Sequence, residues 1–164
     1  SDVCSSDLMY RYREIYMTHR TVAQHATLIN ALSQGERYEA TICDHDAEDR
    51  ATLRSAGIGN IAAVKDVSRG IQAVQQRLAR GPDDKPRLFL LRGALVEVDD
   101  SLQKAKRPTC TEQEMPGYIW QTTPDGRPDK EEPLKLNDHG CDAARYACLY
   151  VERPTGPRSR VREY

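Results

Sequence analysis

The feature that most constrains this chain is a hydrophobic period that switches between two and about 3.6 along its first half. From Tyr10 to Met17 the residues alternate, with Tyr10, Tyr12 and Tyr16 on one side and Arg11, Arg13, Ile15 and Met17 on the other. Period two with aromatic enrichment predicts a strand. Thr21 and Gln24 then form a T-x-x-Q capping box, ahead of a helical stripe of Val22, Ala26, Ile29 and Leu32 that Gly35 closes. YEATIC, Tyr38 to Cys43, reads as a second strand ending at Asp44. Asp46 suits the N-cap of a short helix through Ala56, stopped by Gly57. Ile61 to Val64 reads as a brief strand. Ile71, Val74 and Leu78 then space a helix from about Ser68 to Arg80, and Leu88 to Leu91 is an apolar run that predicts a strand buried on both faces. Strands and helices in strict alternation predict an α/β fold with parallel neighbours in its sheet.

The second half is punctuated by Pro108, Pro116, Pro124, Pro128 and Pro133. Thr111 and Glu114 offer another capping box, and Tyr118, Ile119 and Trp120 suggest an edge strand. A last helix is predicted from about Asp138 to Val151, with Cys141, Ala144, Cys148 and Val151 as its buried stripe. Glu152 to Tyr164, with Arg153, Arg158, Arg160 and Arg162, reads as a disordered basic tail. Residues 1–8 carry neither period. Read back as codons, they resemble the end of a sequencing-library adapter, and the expectation is an artefact joined to the frame.

Composition narrows the function classes. The chain of 164 residues suits one domain, and no run approaches the roughly 20 apolar residues of a membrane span. Net charge is −1, so any nucleic-acid surface has to arise from local segregation of the 24 basic and 25 acidic residues. Cys4, Cys43, Cys110, Cys141 and Cys148 form no CxxC pair and read as reduced thiols in the cytoplasm. A glycine-rich phosphate loop is absent from the sequence, as is an internal repeat.

Candidate chemistry lies at two points. Asp44 ends a predicted central strand, where open α/β sheets place ligands. Asp138, His139 and Asp142 open the last helix, and positions three and four apart share a helix face. Together with Asp44 they would make a carboxylate-rich pocket for a hard cation such as Mg²⁺ or Mn²⁺. Each residue also has a plainer reading. Asp138 suits the helix N-cap, Asp142 complements the helix dipole, and His139 suits a solvated surface. Asp46 reads as a cap and Asp49 as a surface charge. Cys43, His45, His139 and Cys141 offer a Cys₂His₂ zinc set, although their spacing matches no usual zinc motif. Lys65, Arg69 and Arg80 are candidates for contacting DNA phosphates, the last two on nearly the same side of one helix; a solvated face is the alternative. Tyr118 and Trp120 read as packing residues.

The segment KLNDHGCDAARYACLY, Lys135 to Tyr150, resembles the C-terminal nuclease domain of the large terminase subunit of tailed bacteriophages. Pro133, Lys135, Asn137, Asp138, His139, Asp142, Ala143, Arg145, Tyr146 and Ala147 all match the pattern N-D-H-x-x-D-A-x-R-Y-A and its Pro/Lys approach. Upstream, ICDHDAEDRATLRSAGI and VKDVSRGIQAVQQRL are similar to that family's second acidic strand and the helices after it. The likeness covers about Met9 to Val151.

The resemblance implies an RNase H-like fold, a mixed sheet flanked by helices and lacking its first strand or strands. It implies an endonuclease that cuts concatemeric double-stranded DNA during genome packaging with two divalent ions, Mg²⁺ or Mn²⁺, held by three acidic positions. Asp44 takes the second acidic position and Asp142 the third; His139 accompanies Asp142, and Asp138 contacts a metal-bound water. The first acidic residue has no counterpart, since Asp2 and Asp7 lie in the suspect octapeptide. The expectation is therefore a partial domain over residues 9–151, weak or inactive alone, from a parent protein with an upstream ATPase. The small terminase subunit and the procapsid portal are its implied partners, the bacterial host cytoplasm its implied setting. Two alternatives are a non-catalytic module docking to DNA or portal, and another RNase H-like nuclease such as a junction resolvase.

Overall fold

The computed structural model describes residues 8–123, 125 and 128–153. Within them lie six α-helices and three two-stranded sheets, so the fold is mixed α/β. The elements run β1 (Met9–Arg11), α1 (Val22–Leu32), β2 (Ile42–Cys43), α2 (Ala47–Ser55), β3 (Ile61–Ala62), α3 (Val67–Leu78) and β4 (Leu88–Leu90). There follow α4 (Asp100–Lys104), α5 (Thr111–Glu114), a 3-10 turn at Met115–Gly117, β5 (Trp120–Thr122), β6 (Pro128–Pro133) and α6 (His139–Val151). No helix among the described residues is long and apolar enough to cross a membrane.

Local signals set the helices. The Thr21 side chain accepts from the Gln24 amide at 3.3 Å while the Gln24 side chain accepts from the Thr21 amide at 2.8 Å, which satisfies two donors at the start of α1. Asp46 accepts from the amides of Glu48 and Asp49, both at 2.9 Å, and so starts α2. Gly57 follows α2 with φ of +82°, a conformation in which a Cβ is strained. Asp66 caps α3 through the Arg69 amide, one turn before the stripe that signalled the helix.

The strands are shorter than the alternation predicts. β1 pairs in parallel with β4, Met9 opposite Leu88 and Arg11 opposite Leu90, and an isolated bridge joins Glu14 to Leu95. β2 pairs in parallel with β3, Ile42 opposite Ile61. β5 and β6 form an antiparallel ribbon. The described strands thus make no continuous sheet, and β2, expected at the centre, has one partner. β4 is likewise not enclosed on both faces: Leu88 is buried, but Leu91 just beyond the strand is 45% exposed.

The core sits where α3 crosses α6 beneath β1 and β4. Ala73, Leu88, Cys148 and Leu149 form it, with Met9 and Val74 packed on its edge. Small residues on α3 permit the close crossing: a Cβ on Gly70 would lie 3.2 Å from the Arg145 Cβ and 3.3 Å from a Leu149 methyl. The stripe of α6 differs from the predicted one. Val151 is 45% exposed, while Arg145 and Leu149 are buried with Cys141 and Cys148. Ordered structure also passes Val151, since Glu152 accepts from Arg77 at 3.2 Å and Arg153 lies over the Tyr150 ring. The rest of the predicted tail, residues 154–164, and residues 1–7 of the predicted artefact lie outside the described residues.

Candidate functional site

Parallel pairing brings the C-terminal ends of β2 and β3 side by side, and these ends carry Asp44 and Lys65. The Lys65 ammonium meets the Asp44 carboxylate at 2.9 Å, and the His45 amide donates to the same oxygen at 2.7 Å. Lys65 holds the Asp44 carboxyl below its ordinary range, and Asp44 in return raises the Lys65 pKa. The Asp44 side chain remains 60% exposed.

Asp142 stands in the first turn of α6, where a carboxylate complements the helix dipole. It accepts from the buried Arg145 guanidinium at 2.6 and 3.2 Å and from the Tyr118 hydroxyl at 3.1 Å. Burial pushes the Tyr118 phenol well above its ordinary value; Arg145 opposes the shift and Asp142 adds to it. Lys135 lies between Asp138 at 3.5 Å and Asp142 at 3.7 Å. Asp138 occupies the N-cap position of α6, yet its side chain makes no capping hydrogen bond.

Tyr146 joins the two halves. Its pKa is raised by burial, then by the charges of Asp44 and Asp142. Lys65 likewise feels Asp142 besides Asp44 and Tyr146. The same tyrosine and lysine thus feel both carboxylates, although these belong to distant parts of the chain.

Carboxylate oxygens are the right donors for Mg²⁺ or Mn²⁺. Among the described residues, however, no group of three or more His, Cys, Asp or Glu side chains converges on a point, so Asp44 and Asp142 are a two-carboxylate set at most. Both carboxylates already carry protein cations, Lys65 on Asp44 and Arg145 on Asp142.

Other predicted residues disperse. His139 is exposed and lines a cavity of ≈ 600 Å³ on the side of Glu14 and Tyr16. Among the described residues neither a hydrogen bond nor an ion pair joins it to Asp44 or Asp142; Asp142, although one helical turn away, is engaged by Arg145 and Tyr118 instead. The zinc set does not assemble either, with Cys141 buried against Glu114 and Cys43 on β2. Arg80 lies past the end of α3 and pairs with Asp84 at 2.9 Å, so it does not share a helix face with Arg69. Arg69 is an exposed residue of α3, and Lys65 is engaged with Asp44.

The most deeply held polar group is one that the sequence reading took for a local cap. Thr111 and Glu114 do not cap α5, which starts after Cys110 without a side-chain bond. Glu114, 1% exposed, instead accepts from the Tyr16 hydroxyl and from the Cys141 amide at 2.9 Å, and so caps α6 from another element. Thr111 donates its amide at 2.9 Å and its hydroxyl at 2.6 Å to Glu14. Burial, then Glu114, pushes the Cys141 thiol up to about 12, which disfavours its thiolate at neutral pH. The T-x-x-E spacing signalled the polar pair but not its partners, which are remote in sequence.

No protein-family model matches the sequence, and neither a curated protein nor a solved structure matches it.

Proposed function

We propose that this chain is an RNase H-like domain of the terminase nuclease type, whose parent protein hydrolyses phosphodiesters of double-stranded DNA during packaging. The reading rests on the placement of the two carboxylates: Asp44 follows the parallel strand β2 and meets Lys65 at 2.9 Å, Asp142 stands in the first turn of α6, and the charges of both bear on Tyr146 and Lys65. Two parallel strand pairs with helices between them are compatible with that fold. In this reading Asp44 and Asp142 are the ligands of Mg²⁺ or Mn²⁺, Lys65 lies beside Asp44, and Lys65 and the exposed Arg69 of α3 are the candidates for contact with phosphates. His139 is left out of the reacting group because it lines the cavity on the Glu14 side. The lysine and arginine partners of the two carboxylates must yield before an ion binds, so the chain alone is expected to cut DNA weakly or not at all.

Titration of the full chain with MnCl₂ tests the assignment. Saturable binding that is lost in both Asp44→Asn and Asp142→Asn supports it. Binding unaffected by either substitution, or no binding at all, sinks it in favour of a non-catalytic docking module, a reading that the paired state of both carboxylates favours.

A further inference from the structure

In each of the two candidate carboxylates one oxygen is engaged and the other is open. Oδ1 of Asp142 accepts from Arg145 Nη2 at 2.6 Å, from Arg145 Nε at 3.2 Å and from the Tyr118 hydroxyl at 3.1 Å. Among the described residues Oδ2 of Asp142 has only the Lys135 ammonium, 3.7 Å away. Asp44 is divided in the same way. Its Oδ1 takes Lys65 at 2.9 Å and the His45 amide at 2.7 Å, and among the described residues no hydrogen bond or ion pair reaches its Oδ2.

The cationic partners differ in their freedom to move. The Lys65 and Lys135 side chains are 51% and 55% exposed, so either ammonium can turn into solvent. Arg145 cannot. Its side chain is 3% exposed and is pinned where α3 crosses α6, since a Cβ on Gly70 would lie 3.2 Å from its Cβ and 3.4 Å from its Cδ. Its Nη1 is buried without an acceptor, so breaking the pair with Asp142 would strand the other guanidinium donors as well. What Arg145 yields to an incoming ion is therefore the second oxygen of Asp142, not its own place.

We infer that Arg145 and Tyr118 are positioning residues, which fix Asp142 by Oδ1 and present Oδ2 alone to a divalent cation. This role rests on the proposed assignment of Asp142 as a ligand of Mg²⁺ or Mn²⁺. A carboxylate held by one oxygen binds through the other, which suits the octahedral oxygen shell of these ions. Donors on the far oxygen fix the orientation of a ligand before an ion arrives, and their loss typically lowers metal affinity by about 10–100-fold. Burial raises the Tyr118 phenol pKa, so the hydroxyl stays a donor at neutral pH. If Arg145 were instead a competitor for the place of the ion, its replacement would tighten binding.

Titration of the full chain and its variants with MnCl₂, read by the electron paramagnetic resonance of free Mn²⁺, separates the two. Arg145→Lys keeps the charge and loses the fork of donors, and Kd should rise about tenfold. Tyr118→Phe removes one hydroxyl, and a rise of about fivefold is expected. Lys135→Ala should leave Kd unchanged or lower it, because that ammonium sits on the open oxygen. A general loss of structure would not give opposite responses at two cations of one carboxylate. Tyr118→Phe keeps the ring and every charge, so it decides the matter even where Arg145→Lys fails to fold. Unchanged or tighter binding in Tyr118→Phe, or in a folded Arg145→Lys, overturns the positioning role and leaves Asp142 as a ligand. No binding to the parent chain, or binding indifferent to Asp142→Asn, overturns the metal assignment and this role with it.

Discussion

Helix α6 presents two unlike faces, and the contrast explains how this small domain holds together. Toward α3 it is interlocked: Cys148 and Leu149 are buried, and a methyl group on Gly70 of α3 would sit only 3.2 Å from the Arg145 Cβ. Toward β1 and β2 the same helix offers Ala143 and Ala147 to an open groove. The first face buries apolar area at about 25 cal/mol per Å² and gains dispersion contacts from close packing. The second gains little until something occupies it. Rigidity therefore comes from one side of the helix, while the other side faces open space. The helix start belongs to the rigid side, because its cap comes from Glu114 on α5.

The contrast can be broken first at Gly140. A Cβ there would run into the Thr111 side chain and stop 2.9 Å from the Glu114 carboxylate. Gly140→Ala should destabilise the chain by about 2–3 kcal/mol in urea unfolding, overriding the roughly 1 kcal/mol that helix propensity returns. A neutral result would mean that the start of α6 is loosely held. Next is Glu114→Gln, which keeps the volume but removes a charged acceptor from Tyr16 and Cys141. A loss of about 1–3 kcal/mol is expected, with Cys141 reacting faster with a thiol reagent. A variant with unchanged stability and an unreactive Cys141 would dissociate that carboxylate from the cap.

A paired comparison sharpens the two faces directly. Gly70→Ala presses on the Arg145 Cβ, an atom fixed to the backbone of α6, and should cost about 1 kcal/mol net of its propensity gain. Ala143→Leu enters the groove and should change stability by no more than about 0.5 kcal/mol. Equal costs at both positions would erase the proposed asymmetry.

The smallest effect concerns surface pairing. Arg13, then Tyr38, holds the Glu36 carboxyl down to about 2 from its ordinary 4.5. A depressed carboxylate contributes stability that is present above its unfolded value and lost as the pH falls through its folded one. The contribution should thus be complete above about 4.5 and disappear toward 2. Asp44, held down by Lys65, acts in the same direction. Acid titration of unfolding should show a shallow decline that Glu36→Gln flattens; a decline of unchanged depth in that variant would exclude Glu36 as its source.

How much of this was legible in the residues depends on the range of the interaction. The capping box at Thr21 and Gln24, the cap at Asp46 and the extent of α6 are decided within a few positions, and the sequence determined them by itself. It also singled out Asp44 and Asp142, because strand ends and first helical turns are local features. Tertiary structure alone decided the rest. Thr111 and Glu114 have the spacing of a local box, but burial gave Glu114 to Tyr16 and α6, and Thr111 to Glu14. Asp142 received Tyr118 from a distant segment, His139 turned to the cavity on the Glu14 side, and the alternating strands stopped short of one sheet. The physical reason is common to all three. Caps such as those at Thr21 and Asp46 are satisfied by their own neighbours, whereas a strand edge or a buried charge is satisfied only by whatever the rest of the chain brings alongside it.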